Sequence, residues 1–347
     1  MKKSAIIALA VLFILSGCQF QNHVHNENGN NSKGANMQTE PGDPPYVTLH
    51  QQGVLKERGE ALWQRMDSCD LCPRNCGARR LEGERGVCQA NSTLEIASHG
   101  PHFGEEAELV GNNGSGTIFF TNCALLCVFC INADISQRGY GRVCSVHQLG
   151  EMMLALQRRG CSNINLVSPS HYAPHILLAL DHAASKGLRL PVVYNTCGWE
   201  KADVLPYLDS VVDVYLTDFK YGCNAQAAKY SPGADDYVEV TRQAHLLMHE
   251  QVGTLRIDSA TGLATRGLMI RHLVMPNDVT CTREIMQWIG NNLPKDTYIN
   301  IMSQYTPMHR AKDFPEINRR ITHHEYRQAV EAAEDAGLTN LHLQGPR

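Results

Sequence analysis

From residue 117 onward the chain alternates between two kinds of apolar pattern. Short runs of β-branched, aromatic and aliphatic residues at 117–120, 163–167, 192–195, 211–217, 268–274, 298–302 and 338–343 predict buried strands. Between them apolar residues recur at three- and four-residue spacing, which predicts helices at 146–159, 174–186, 237–250, 282–292 and 322–336. Ser145 stands at an N-cap position ahead of the stripe Leu149, Met152, Met153 and Leu156, and Gly187 follows the second helix as a stop. Repeated strand–helix units of this length predict an α/β fold with a parallel sheet. Six or so units suit a partial (βα)6-type barrel, open on one side, better than a doubly wound sheet. In barrels the loops at the C-terminal strand ends carry the chemistry. Here they read Ser168-Pro169-Ser170-His171, Asn195-Thr196-Cys197-Gly198, Asp218-Phe219-Lys220, the segment 272–277, and Ser303-Gln304-Tyr305.

The first 45 residues follow neither pattern. Lys2 and Lys3 precede an apolar run at 5–15 and then Ser16-Gly17-Cys18, the layout of an export signal. The run is shorter than the ~20 apolar residues a spanning helix needs. Leu15-Ser16-Gly17-Cys18 resembles a bacterial lipobox, which would lipidate Cys18 and hold the protein at a membrane through that anchor alone; an ordinary signal peptide and a start at Met37 are the alternatives. Residues 19–45 are rich in Asn, Gly and Pro and predict a flexible tether. The segment 46–66 reads as an extended lead-in followed by a helix with Leu55, Leu62 and Trp63 on its apolar stripe. The expected organisation is a leader at 1–17, a tether at 18–45, a cysteine-rich extension at 46–112 and the α/β domain at 113–347.

Composition adds little until the cysteines are counted. A content of 43% hydrophobic and 19% charged residues is that of a globular protein, and a net charge of −4 offers no basic footprint for nucleic acid. Thirteen cysteines change the picture. Cys69, Cys72, Cys76 and Cys88 are spaced C-x2-C-x3-C-x11-C, with Gly77, Gly83 and Gly86 to allow tight turns and Arg74, Arg79, Arg80 and Arg85 to offset thiolate charge. A tetrahedral zinc site, an auxiliary iron–sulfur cluster and a pair of disulfides are all compatible with that spacing. Thiol exchange through Cys69 and Cys72 is disfavoured by the two further cysteines. A second group, Cys123, Cys127 and Cys130, follows the first barrel strand as TNCALLCVFCIN. Iron–sulfur clusters usually take four thiolates; three on one loop leave an iron for a non-protein ligand. Cys144, Cys161, Cys197, Cys223 and Cys281 read as buried free thiols, with Cys197 alone at a strand end in the expected pocket.

The triplet, with Phe129 before its third cysteine, resembles the signature of radical S-adenosylmethionine (SAM) enzymes. NINLVSPSHY, VVYNTCGW, DVYLTDFKY, RHLVMPN and INIMSQY extend the resemblance over nearly the whole chain past Tyr46, to relatives of pyruvate formate-lyase activating enzyme. The resemblance implies a [4Fe–4S] cluster on Cys123, Cys127 and Cys130, SAM as cofactor, a low-potential electron donor as partner, and hydrogen abstraction from a glycyl radical enzyme, a peptide or a small molecule. It also implies SAM contacts from Phe129, Ser168, Ser170, Asn195, Asp218 and Lys220, with Lys220 on the SAM carboxylate. Where the activating enzymes carry Gly-Gly-Glu, this chain has Ser168-Pro169-Ser170-His171, with His171 as a candidate proton donor or a structural histidine. A cluster- or zinc-binding scaffold without catalysis is the rival reading. The leader argues for a membrane-anchored lipoprotein and the cofactor chemistry for a cytoplasmic protein.

Overall fold

The computed structural model describes residues 42–345, so the leader, Cys18 and all but the end of the expected tether lie outside the described residues. Ten strands are present among the described residues: β1 (Glu95–His102), β2 (Ser115–Phe120), β3 (Arg142–Val143), β4 (Ile164–Val167), β5 (Val192–Thr196), β6 (Val214–Asp218), β7 (Arg256–Ile257), β8 (Ala264–Leu273), β9 (Tyr298–Met302) and β10 (Leu341–Gln344). They form one sheet in the order β10-β9-β8-β6-β5-β4-β2-β1-β3, with β7 paired to β8. The fold is α/β. Every pairing from β2 through β4, β5, β6, β8 and β9 to β10 is parallel. Each new parallel strand is added on the same side of the last, so the order never reverses as it does in a doubly wound sheet.

Helices connect these strands and cover the sheet. Ser145 and Gln148 form a capping box on the helix Val146–Arg158, and Thr322 and Glu325 form another on His323–Asp335. The helix Ala173–Ser185 is buried along most of its length, and the helix Val54–Gln64 lies against it. A Cβ at Gly59 would come within 2.9 Å of Leu178, so the close crossing of these two helices uses a glycine. Each Leu or Ile fully buried in that layer contributes about 1.5–3 kcal/mol.

Upstream of β2 the structure departs from the sequence expectation. The lead-in at 46 is not extended: Pro45–Gln51 is a helix with proline in its first turn, and left-handed Gly53 turns the chain into the next helix. The last tether residues are likewise packed, with Pro44 buried and Asp43 in an ion pair with Arg189. The cysteine-rich extension contributes β1, which pairs antiparallel with β2 and so joins the same sheet. Among the described residues no helix is long and apolar enough to cross a membrane.

Candidate functional site

The C-terminal strand ends open into one cavity of about 530 Å3. Phe119 from β2, Ser168 after β4, Asn195 and Thr196 from β5, Asp218 from β6, Arg271 from β8, Asn300 and Met302 from β9 and Gln344 from β10 all line it. The loop after β2 supplies Cys123, Cys127, Phe129 and Cys130 to the same wall. That loop is wrapped tightly: Asn122 and Leu126 are both left-handed, at φ 68° and 58°. Non-glycine residues hold that conformation only where the surroundings enforce it, which is common at functional sites. Val128 N–H donates to Tyr230 O at 2.8 Å, and Gln137 donates to Cys127 O at 2.8 Å. Phe129 is buried edge-on against Tyr221 and Tyr305.

The three sulfurs sit in different electrostatic surroundings. Burial pushes the Cys127 thiol up to about 12, with Lys220 acting the other way and Ser231 donating to Sγ at 3.2 Å. Burial also raises Cys130, whose Sγ lies 3.2 Å from Ser136 Oγ. Cys123 is lowered, chiefly by the Cys197 thiol beside it. Cys197 comes from the tip of β5, where a Cβ on left-handed Gly198 would overlap the Asp218 carbonyl oxygen. Only glycine lets the β5 and β6 tips approach so closely. The sequence showed no fourth cysteine near the triplet, yet the fold brings Cys197 to Cys123.

Lys220 lines the cavity and donates through Nζ to Asp218 Oδ2 at 2.6 Å. Burial works to lower its pKa, but Asp218 and the neighbouring Cys127 hold it above the ordinary lysine value. Asn195 and Ser168 both line the cavity, and Ser168 N–H donates to Asn195 O at 2.9 Å. Ser170 is placed otherwise than expected. It is buried outside the cavity lining and donates to Glu200, a carboxylate that Thr196 also engages. Burial raises Glu200 to about 7. His171 is not available as a proton donor: its Nε2 is 2.8 Å from Thr121 O, and burial followed by the Arg80 charge lowers it to about 3. It is a structural histidine.

Cys69, Cys72, Cys76 and Cys88 are free thiols, which removes the disulfide alternative in this structure. Left-handed Gly77 and Gly83 make the turns, and a Cβ at Gly86 would meet Cys76 Sγ at 3.1 Å and Cys88 Sγ at 3.7 Å. Arg80 is fully buried beside them, with Nη1 3.5 Å from Cys69 Sγ and Nη2 donating to Asn91 O and His171 O. Arg79 and Arg85 pair instead with glutamates. Burial raises the Cys72 and Cys88 thiols. Among the described residues no three His, Cys, Asp or Glu side chains are drawn together tightly enough for a single ion. A cluster offers a separate iron to each thiolate, so its ligands stand wider apart than those of one ion. The donor set of the triplet, soft sulfurs on one wrapped loop facing a cavity, fits such a group.

No family model matches the chain. Over 278 residues it is 34% identical to the uncharacterized protein MJ0674 of Methanocaldococcus jannaschii, covering 78% of this chain and 75% of that protein. The chain belongs to that protein's family. Several site residues had no local signal in the sequence. Glu105 and Glu106 reach Arg271 across more than a hundred and sixty positions, and Glu200 lies just past a strand end as one carboxylate among many. Cys223 and Cys281, expected as free thiols, are joined in a disulfide between the segment after β6 and the start of the helix Thr282–Asn292. Their 58-residue separation hides the pairing from any local pattern.

Proposed function

We propose that the protein is a radical SAM enzyme built on a partial (βα) barrel, related to the activating enzymes of glycyl radical enzymes. The observation that carries this reading is the C-x3-C-x2-C loop on the wall of the cavity at the C-terminal ends of the parallel strands, with Lys220 lining the same cavity. The unreversed order of the parallel strands supports the barrel assignment. Cys123, Cys127 and Cys130 would hold a [4Fe–4S] cluster. Such a cluster, with SAM on its open iron, supplies the one-electron cleavage that begins hydrogen abstraction from a substrate.

The chain's own residues do the rest. Phe129, locked between Tyr221 and Tyr305, fixes the cysteine loop and keeps water from that side. Cys197 lies beside Cys123, where a thiol hydrogen bond to a ligand sulfur would tune the potential of a cluster. Lys220, held by Asp218 in the cavity wall, would be the cation for the SAM carboxylate. Ser168 supplies polar atoms to the cavity at the place where the activating enzymes use Gly-Gly-Glu, and Asn195 does so from the end of the next strand. Ser170 is committed to Glu200 and leaves the set of SAM contacts. The quartet would hold a second metal group, an iron–sulfur cluster in the arrangement described or zinc once its thiols draw together, with Arg80 as counter-charge. The test is anaerobic iron–sulfur reconstitution followed by dithionite and SAM. The expected result is 5′-deoxyadenosine and methionine in equal amounts. Bound metal without SAM cleavage would support the scaffold reading instead.

A further inference from the structure

The cavity contains a second charged group that the cysteine chemistry does not use. Strand register sets Asp218, Arg271 and Asn300 side by side across β6, β8 and β9. Glu105 and Glu106, between β1 and the helical turn Ala107–Val110, reach the same row. Arg271 donates through Nε to Glu106 Oε1 at 2.7 Å and through Nη2 to both carboxylates. Asn300 Nδ2 donates to Glu106 Oε1 at 2.8 Å, and all four residues line the cavity.

Three features mark this wall as incomplete rather than as a closed ion-pair network. Its two carboxylates outnumber its one guanidinium, while Asp218 and Lys220 cancel each other, so the wall carries a net negative charge. Glu105 spends Oε2 on Arg271, and among the described residues its Oε1 forms no hydrogen bond. Asn300 is 1% exposed, and only its NH2 can donate to a carboxylate, which fixes the amide orientation and leaves Oδ1 a buried acceptor without a partner among the described residues. A buried acceptor without a donor is costly and needs a reason. Both unanswered atoms are acceptors in a negative wall, and their complement is a donor-rich cation. Arg271 Nη1 has no partner among the described residues, but an anion approaching it would meet the two carboxylates that already neutralise the guanidinium. Phe119, Leu126, Leu273 and Met302 line the same cavity and suit an alkyl chain behind the cation.

We propose that Glu105 and Asn300 form a subsite for a protonated amine on an alkyl chain, carried by the molecule this enzyme acts on. The inference rests on the reading of the cavity as a substrate chamber and not on the cluster assignment. The test is titration of the reconstituted full chain with 1,4-diaminobutane and, as a matched neutral probe, 1,4-butanediol, at fixed ionic strength and neutral pH. The diamine is expected to bind at least tenfold more tightly than the diol, and Glu105→Gln is expected to abolish that preference while SAM affinity stays within twofold. In the alanine variant of Cys123, Cys127 and Cys130 the preference is expected to persist, so a failed cleavage assay and a failed titration report on different claims. Equal binding of diamine and diol by the wild-type chain overturns the proposal, whether or not the variants fold. So does a tenfold loss of SAM affinity in Glu105→Gln, which would assign the acceptors to the amino group of SAM itself.

Discussion

The two cysteine groups present the same thiol donors and meet at their edges, yet they are enclosed differently. Cys69, Cys72 and Cys88 are buried, Arg80 fills the space beside them, and none of the four quartet cysteines lines the cavity. Cys123, Cys127 and Cys130 all line it. Arg74, from the segment between Cys72 and Cys76, joins the groups: it donates to Ala124 O at 2.8 Å and Leu125 O at 3.3 Å, carbonyls inside the triplet loop. Structural metal sites are closed and catalytic ones keep a position open. On that rule the proposed reading makes the quartet the support and the triplet the reactive centre, with the Arg74 guanidinium tying one to the other.

The largest effect that separates them is loss of chemistry. Replacing Cys123, Cys127 and Cys130 by alanine should abolish 5′-deoxyadenosine formation while metal analysis still finds the quartet's share. Cleavage of SAM by that variant would reverse the two roles. The quartet side breaks through stability. Arg80→Met removes a buried cation that serves a sulfur and two carbonyls, and should cost about 3 kcal/mol in denaturant unfolding. An unchanged midpoint would mean that the quartet is not held from within.

Much of the scaffold could be read from pattern alone. The helix Thr282–Asn292 and strand β9 match their expected bounds, because their apolar spacing is regular and their neighbours are polar. β1 escaped: Glu95–His102 contains Gly and Pro and is for the most part only half-buried, without alternation, and pairing with β2 rather than side-chain pattern makes it a strand. The short helix Asn224–Tyr230 escaped as well, being too brief for periodicity. At the site, Asn195, Asp218 and Lys220 were readable because strand ends can be located along the chain. Contacts made across the sheet were not, since Cys197 beside Cys123 and Arg271 between two glutamates exist only once the strands are in register.

Two smaller effects sharpen the contrast on the open side. Lys220→Met should weaken SAM binding by roughly 10- to 100-fold, about 1.5–3 kcal/mol for a charged hydrogen bond, with iron content unchanged. Equilibrium dialysis on cluster-replete protein checks this, and unaltered affinity would remove Lys220 from the SAM site. Cys197→Ala should leave iron content and SAM cleavage intact and shift only the reduction potential, read by redox titration. Loss of the cluster in that variant would make Cys197 a fourth protein ligand and close the position that the triplet is held to leave open.

That open position is the central claim, and electron paramagnetic resonance of the dithionite-reduced, reconstituted protein reads it directly. With SAM added, the signal of one cluster should change shape, and the change should vanish in the alanine variant of Cys123, Cys127 and Cys130. A cluster signal that SAM leaves unaltered in the wild-type chain would contradict the account.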